Sequence, residues 1–189
     1  MPVIRLEFSD LQATQRFGGL LAGRLRAGDV IALSGALGAG KSVLARAIIQ
    51  AVDAAQDDVP SPTFTLVQQY ALADGTPLWH LDLYRIETPQ EAMALGLDDA
   101  FIDAVCLIEW PDRLQKLLPK TNLSIHLYAD ESLDDDKDDS GVRFADITAP
   151  LHWADRINDL GTSVANKSTS ERGDAFHHAS HYVLRAGFS

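Results

Sequence analysis

The stretch that decides the fold is Gly35-Ala36-Leu37-Gly38-Ala39-Gly40-Lys41-Ser42. It follows the pattern G-x-x-x-x-G-K-[ST], in which glycines let the backbone curl so that its N–H groups face phosphates. In that pattern the lysine reaches the β- and γ-phosphates, and the final hydroxyl binds Mg²⁺. The apolar run 30–33 before the loop indicates a buried strand, and residues 41–52 place apolar side chains on one face of a helix. Strand, loop and helix in this order predict a site for a nucleoside triphosphate with Mg²⁺.

Hydrophobic periodicity and turn signals place the other elements around this loop. Residues 63–70 and 78–83, separated by the turn Asp74-Gly75, are expected to form a hairpin. We predict further strands at 3–8, 105–108, 125–127 and 142–148, and helices after Ser9-Asp10, after the capping box Thr88-Pro89-Gln90-Glu91 and at 151–160. The predicted fold is α/β, a P-loop NTPase-like three-layer sandwich around a mixed, largely parallel central sheet. Residues 1–150 would form the P-loop domain, and residues 151–189 a C-terminal helix and a flexible tail.

Composition limits the classes of protein to which the chain can belong. It has 189 residues, of which 46% are hydrophobic and 23% charged, the usual balance for a globular protein with a core. No apolar run approaches the roughly 20 residues that cross a bilayer, and residues 1–7 do not have the basic-then-apolar order of a signal peptide. The one cysteine, Cys106, excludes an internal disulfide and suits a reducing compartment. We therefore expect a cytoplasmic protein with no membrane contact.

The net charge of −11 is concentrated in one segment. Residues 130–139 hold seven acidic residues and one lysine, a composition typical of a solvated loop. Because gripping phosphates needs clustered Lys and Arg, the charge argues against direct nucleic-acid binding. If RNA is involved, another subunit is expected to hold it. The histidines of His177-His178-x-x-His181 fall in the predicted tail and are interpreted as incidental.

Two carboxylates stand where a nucleotide site needs them. Asp82 and Glu109 each follow an apolar strand, and ligands of open α/β sheets bind at the carboxyl ends of strands. A buried charge without a partner is costly, so a charge at the end of a buried strand favours a functional role. We predict that they hold the Mg²⁺ shell and orient the attacking water, although a salt-bridged or solvated carboxylate is the alternative.

Three nearby residues permit two interpretations each. Thr63 would sense the γ-phosphate as switch threonines do, or its hydroxyl would simply serve a turn. Trp110 would wall the site, or only pack. Arg85 would neutralise phosphate, but pairing with Glu87 or Asp82 is the favoured interpretation.

Four blocks of sequence together carry a resemblance. They are the loop at 35–42, Ser61-Pro62-Thr63-Phe64-Thr65-Leu66-Val67, His80-Leu81-Asp82-Leu83-Tyr84-Arg85 and Leu107-Ile108-Glu109-Trp110-Pro111. In this order and spacing they closely resemble the bacterial tRNA threonylcarbamoyladenosine biosynthesis ATPase family, TsaE, over roughly residues 5–150. The resemblance implies an ATPase that acts in the threonylcarbamoylation of the adenosine beside the anticodon, in tRNAs reading codons that begin with A. It also implies two sugar-kinase-like partner subunits, whose multiple turnovers are supported by hydrolysis of ATP.

The resemblance assigns roles to individual residues. Phosphate binding would fall to Gly38, Ala39, Gly40, Lys41, Ser42 and Val43, with Thr14 of the first helix near the nucleotide. Mg²⁺ would be held by Ser42, Asp82 and Glu109, and the catalytic group would be Lys41, Asp82, Glu109 and Thr63. Two departures stand out: the family often has aspartate and threonine where this chain has Ala36 and Ser42. Serine keeps the ligand oxygen, so the resemblance still implies a Mg²⁺ site.

Two other classes of function fit the same loop. A non-catalytic module would use ATP only to order the Thr63 loop and dock a partner. A small-metabolite kinase would need an acceptor pocket and a lid with arginines, but the segment after Glu109 offers only Arg113 before Arg143. A GTP switch is disfavoured because Asn166-Lys167-Ser168-Thr169 lacks the aspartate of the guanine-reading motif.

Overall fold

The computed structural model describes residues 3–53, 59–129, 142–153 and 155–157. Helices and strands alternate through most of this length, as the prediction of an α/β fold requires. The strands are β1 (Val3–Phe8), β2 (Val30–Ser34), β3 (Val67–Ala71), β4 (Pro77–Asp82), β5 (Val105–Glu109), β6 (Leu123–Tyr128) and β7 (Arg143–Thr148). The helices are α1 (Leu11–Ala22), α2 (Lys41–Val52), α3 (Pro89–Met93) and α4 (Leu97–Asp103), and Pro111–Leu117 is a 3₁₀ segment.

One sheet of seven strands runs through the molecule in the order β1-β7-β6-β2-β5-β4-β3. Its middle is parallel, because β2 pairs with β5 and β6, and β4 pairs with β5, all in parallel. Its margins are antiparallel, through the pairs β1–β7, β6–β7 and β3–β4. The central strands β2 and β5 are apolar along almost their whole length, as expected for parallel strands covered on both faces. The predicted α/β fold with a mixed sheet is confirmed.

Two cores lie on opposite faces of the sheet. The first joins α1 and α2 to alternate residues of β2, β5, β6, β7 and β1. At its centre Gly18 of α1 lies so close to α2 that an added Cβ would come within 2.6 Å of the Ala47 Cβ. The second joins α3, α4 and the 3₁₀ segment to β2, β4 and β5, and it has no member from β1, β6 or β7 among the described residues. The third layer therefore covers only the half of the sheet that carries the loop and the two carboxylates.

The first core continues past residue 150. Residues 151–153 and 155–157 are helical, and Trp153 and Ile157 are buried in that core. Arg156 adds an ion pair with Asp29, with its Nη1 2.7 Å and its Nη2 2.9 Å from the two carboxylate oxygens. The helix predicted at 151–160 is therefore present over its described residues and packs in the first core. The acidic segment 130–139, the guanine-motif remnant at 166–169, the tail histidines and the tail itself lie outside the described residues.

Some predictions of local structure differ from the structure. The strand predicted at 63–70 begins only at Val67, because residues 62–65 form a turn. A backbone bond from Leu66 N to Pro62 O closes that turn, and Leu66 itself has a φ of +64°. Neither α4 nor the 3₁₀ segment was predicted, and both are only seven residues long, too short for a clear periodicity. Within the described ranges no helix combines the length and apolar composition needed to span a membrane.

Candidate active site

The glycine-rich loop joins the end of β2 to the start of α2. Its three glycines all have positive φ, +134° at Gly35, +78° at Gly38 and +102° at Gly40. A Cβ on Gly35 would also lie 2.1 Å from the Leu127 carbonyl oxygen, whereas one on Gly38 or Gly40 would meet nothing within 4 Å. The loop conformation thus needs glycine at all three positions for its backbone, and at Gly35 for space as well.

Lys41 is the first residue of α2 and is buried. Its Nζ donates to the Gly35 carbonyl at 2.9 Å and to the Ala36 carbonyl at 2.7 Å. It also lies 4.0 Å from the centre of the Trp110 ring. Burial lowers the pKa of Lys41 from its ordinary value, while nearby carboxylates act in the opposite direction. The hydrogen bonds of the ammonium therefore go to neutral carbonyl groups. A bound phosphate would replace these with charged oxygens, which form stronger hydrogen bonds.

Asp82 and Glu109 are the last residues of the adjacent strands β4 and β5, and they are paired in register. Both are buried, with 4% and 1% of their surface exposed. The Ser42 hydroxyl donates to Glu109 Oε2 at 2.7 Å. Parallel strands end at the same edge of the sheet, and the loop leaves β2 at that edge too. The structure therefore brings together the hydroxyl and the two carboxylates that the sequence placed far apart.

Thr63 is hydrogen-bonded to Asp82, which lies 19 positions later in the chain. Its hydroxyl donates to Asp82 Oδ2 at 2.6 Å and lies 2.8 Å from the Ser61 hydroxyl. The other oxygen of Asp82 accepts from the Tyr84 backbone N–H at 3.0 Å. The turn at 62–65 is thus anchored to the end of β4, and Thr63 occupies the edge of the site.

These groups surround a cleft of about 290 Å³. Its walls combine loop backbone, a cation, carboxylates and two aromatic rings. The lining residues are Leu37, Gly38, Gly40, Lys41, Ser42, Val43, Thr63, Asp82, Tyr84, Glu109 and Trp110. A concave site that combines a cation and hydroxyl groups with two carboxylates suits a polyphosphate held with a divalent cation.

Comparison with known proteins assigns the chain to a family. The family described as "Threonylcarbamoyl adenosine biosynthesis protein TsaE" matches residues 8–137, which is more than half of the chain. The chain belongs to the TsaE family. Similar relatives include the tRNA threonylcarbamoyladenosine biosynthesis proteins TsaE of Haemophilus influenzae and Nostoc, both 37% identical. The alignments cover 67% of this chain and 80% of the first relative, and 76% of this chain and 85% of the second.

A solved structure extends the likeness to the fold. The crystal structure of YdiB from Bacillus subtilis superposes with a TM-score of 0.64 at 26% identity, and the match covers 86% of this chain and 97% of YdiB. The TsaE match at 8–137 includes every residue that lines the cleft. The fold and the family resemblance drawn from the four sequence blocks are therefore confirmed.

The cleft gathers most of the predicted site residues. Of the predicted set, Thr14 and Ala39 do not line it. Thr14 is buried within α1, and the Ala39 N–H donates to the Ala36 carbonyl inside the loop. Arg85 does not form the predicted ion pair with Glu87 or Asp82, since its guanidinium lies over the Phe64 ring, 5.6 Å from the centre.

The residues that touch the site without having been predicted include His80 and Tyr84. His80 is fully buried, and its Nε2 lies 2.9 Å from Glu109 Oε1. Its signal was available, because His80 and Asp82 are two positions apart on one strand and so share a face. Tyr84, also missed, lines the cleft and packs on Trp110 with ring centres 5.0 Å apart. Trp110 lines the cleft as well as packing on Tyr84, so packing is not its only contact.

The donors in the cleft fit a hard cation. Among the described residues, no three His, Cys, Asp or Glu side chains are arranged to hold a metal by themselves. Mg²⁺ does not need such a cage, because it keeps several waters and takes one or two carboxylates together with substrate phosphates. Ser42, Asp82 and Glu109 supply oxygens of that kind. A Mg²⁺ site here would therefore be completed by the nucleotide.

Proposed function

We propose that this chain is the ATP-hydrolysing subunit of the machinery that makes threonylcarbamoyladenosine in tRNA. The family description and the names of the relatives support the pathway. The observation that carries the ATPase activity is the bond between Ser42 and Glu109 beside the buried Lys41. A loop serine, a lysine and a carboxylate at the end of the adjacent strand are the recurring parts of phosphate-loop NTPases.

The chain's own groups would divide the work. The loop N–H groups and Lys41 would bind the phosphates, with the N-terminus of α2 adding its positive end. Because the Ser42 proton points at Glu109, the lone pairs of Ser42 Oγ are free for a cation. Ser42, Glu109 and Asp82 would hold Mg²⁺, which would supply neutralisation of the negative charge on the phosphates. Asp82 and Thr63, already bonded at 2.6 Å, would orient the attacking water.

Hydrolysis by the chain alone would be weak. Lys41 is the only basic residue among those that line the cleft in the described part of the chain. An additional arginine from a partner is worth about 10³–10⁵-fold in related phosphoryl-transfer sites. We therefore propose that the two sugar-kinase-like subunits of the complex stimulate the chain. With a net charge of −11, the chain would contact tRNA only indirectly.

The test measures phosphate release from ATP with and without both partner subunits, for the wild type and for Glu109→Gln. The wild type should be slow alone and faster with the partners, and Glu109→Gln should lose about 10²-fold or more, as removal of one preorganised catalytic group does. Glu7→Gln is the matched control, because Glu7 is exposed on β1. An unchanged wild-type rate on addition of both partners would contradict the coupled ATPase. The same mixtures, supplied with tRNA, show by mass spectrometry whether the modified nucleoside forms.

A second candidate function is nucleotide-dependent docking in which hydrolysis is incidental. It is favoured by two exposed apolar side chains. Leu37 lines the cleft and is 82% exposed, and Phe64 follows the cleft residue Thr63 in the chain and is 86% exposed. The experiment that separates the two is Glu109→Ala, assayed for tRNA modification and for partner binding. If Glu109→Ala retains tRNA modification but loses ATP hydrolysis, docking is favoured. If it loses both tRNA modification and ATP hydrolysis, the ATPase is favoured.

A further inference from the structure

His80 is a buried polar residue to which the proposed reaction gives no role. It lies in the middle of β4 with none of its surface exposed. Its neighbour on the same face, Leu78, packs in the core with α1 and α2. Burying an imidazole in such a place is unfavourable unless hydrogen bonds compensate it.

The ring has one partner, and that partner belongs to the cleft. His80 Nε2 lies 2.9 Å from Glu109 Oε1, and the other oxygen, Oε2, accepts from Ser42 at 2.7 Å. His80 Nδ1 is buried and has no hydrogen-bond partner among the described residues. An ionised carboxylate only accepts, so the proton of a neutral His80 must be on Nε2. The hydrogen bonding of the ring is therefore directed at Glu109 alone.

We propose that His80 is a positioning residue for the Mg²⁺ site. It holds Oε1 of Glu109 from β4, so that Oε2 stays on Ser42 and the Ser42 lone pairs stay directed at the cation. Without this donor, only the hydrogen bond from Ser42 to Oε2 holds the Glu109 carboxylate. The carboxylate is then free to rotate, and its geometry with Ser42 is lost. The inference rests on the proposed function, because it assumes that Ser42 and Glu109 serve Mg²⁺ and a nucleotide.

A matched pair of substitutions tests this geometry. The amide nitrogen of glutamine is as many bonds from Cβ as Nε2 is, and that of asparagine as many as Nδ1. His80→Gln therefore keeps a donor within reach of Glu109, and His80→Asn moves it to the side that has no partner. The measurement is a Mg²⁺ titration of the binding of a fluorescent ATP analogue, together with its binding in EDTA.

Loss of such outer partners typically costs 10–100-fold in metal affinity. We expect His80→Asn to raise the half-saturating Mg²⁺ concentration about tenfold or more, while His80→Gln stays close to the wild type. Binding in EDTA should be unchanged in both variants, because the loop N–H groups and Lys41 do not contact His80. Ile147→Ala, a core substitution in β7 on buried Ile147, controls for stability: it should lower the resistance to urea without changing the Mg²⁺ titration.

Equal Mg²⁺ titrations for the Asn and Gln variants would overturn the inference. The inference would also be overturned if His80→Asn lost the same nucleotide affinity with Mg²⁺ as in EDTA, because such a loss indicates a purely structural role for His80. If nucleotide binding by the wild type does not depend on Mg²⁺, both the proposed function and this inference fail. If the wild type depends on Mg²⁺ and hydrolyses ATP but His80→Asn matches it, only the present inference fails.

A second measurement needs no variant. Nitrogen-15 correlation spectra of the wild-type histidines report which ring nitrogen carries the proton. For His80 we expect the Nε2–H form, with an exchange-protected proton. A ring protonated only at Nδ1 would overturn the inference.

Discussion

Two of the loop glycines, Gly35 and Gly38, should separate into a structural and a ligand-facing role when each is replaced by alanine. At Gly35 a Cβ would lie 2.1 Å from the Leu127 carbonyl oxygen, and the φ of +134° is unfavourable for an L-residue. Overpacking costs about 1–3 kcal/mol and the backbone strain about 1–2 kcal/mol. Gly35→Ala should therefore lower the free energy of unfolding by about 2–5 kcal/mol.

At Gly38 only the backbone cost applies, since a Cβ there meets nothing within 4 Å. Gly38→Ala should lower the free energy of unfolding by about 1–2 kcal/mol. Gly38 lines the cleft, however, so its new methyl group would occupy space that a phosphate needs. Nucleotide affinity should fall about tenfold or more, equivalent to about 1.4 kcal/mol.

Gly75 supplies the matched control. It has a φ of +86°, its Cβ would also meet nothing within 4 Å, and it lies in the β3–β4 turn away from the cleft. Gly75→Ala should match Gly38→Ala in stability and the wild type in nucleotide affinity.

The assay is urea unfolding followed by circular dichroism, with nucleotide binding measured where each variant is folded. For a chain of this size, 1 kcal/mol corresponds to about 2–4 °C in Tm, so thermal melts give the same ranking. Equal stability of Gly35→Ala and Gly38→Ala would refute the steric argument. Equal nucleotide affinity of Gly38→Ala and Gly75→Ala would refute the assignment of this face of the loop to phosphate.

Three further predictions concern the scaffold. Arg156→Met should lower the free energy of unfolding by about 3–5 kcal/mol, because it leaves the buried Asp29 carboxylate without its ion pair; urea unfolding checks this, and an unaffected stability would mean that the segment after residue 150 does not hold the domain together. Gly18→Ala should cost about 1–3 kcal/mol, because its Cβ would lie 2.6 Å from that of Ala47. The double variant with Ala47→Gly should recover part of this loss, whereas strict additivity would contradict the close helix contact. Burial raises the pKa of the Cys106 thiol to about 12 from 9.0. Because the pKa is higher in the folded state than in the unfolded state, the free energy of unfolding keeps its full value below pH 9 and falls between pH 9 and about 12. A thiol reagent at pH 8 should accordingly react with Cys106 only when urea unfolds the chain, and rapid native labelling would show that the strand is more open than described.

The sequence indicated the hairpin and the capping box because both rest on local chemistry. Asp74 Oδ1 accepts from the Thr76 N–H at 2.9 Å, as an Asp-Gly turn favours. The Thr88 hydroxyl accepts from the Glu91 N–H at 3.4 Å and so caps α3 as predicted. Signals of this kind act over a few residues, and the chain displays them without its fold.

The failures have a different origin. Residues 63–66 are rich in residues that favour strands, but the Thr63 hydroxyl bonds Asp82, which is 19 positions away. That contact and the turn at 62–65 override the local preference. The predicted pairing of Arg85 was also wrong, because its guanidinium lies over the Phe64 ring and forms no ion pair with Glu87 or Asp82.

By itself, the sequence determined that a strand, a glycine-rich loop and a helix follow one another, and that Asp82 and Glu109 end two buried strands. Glycine φ angles, strand alternation and the burial of apolar runs are properties of short segments. Only the tertiary structure decided that β4 and β5 lie side by side, so that Glu109 meets both Ser42 and His80. The order of strands in a sheet depends on long-range packing, and no local pattern in the chain specifies it.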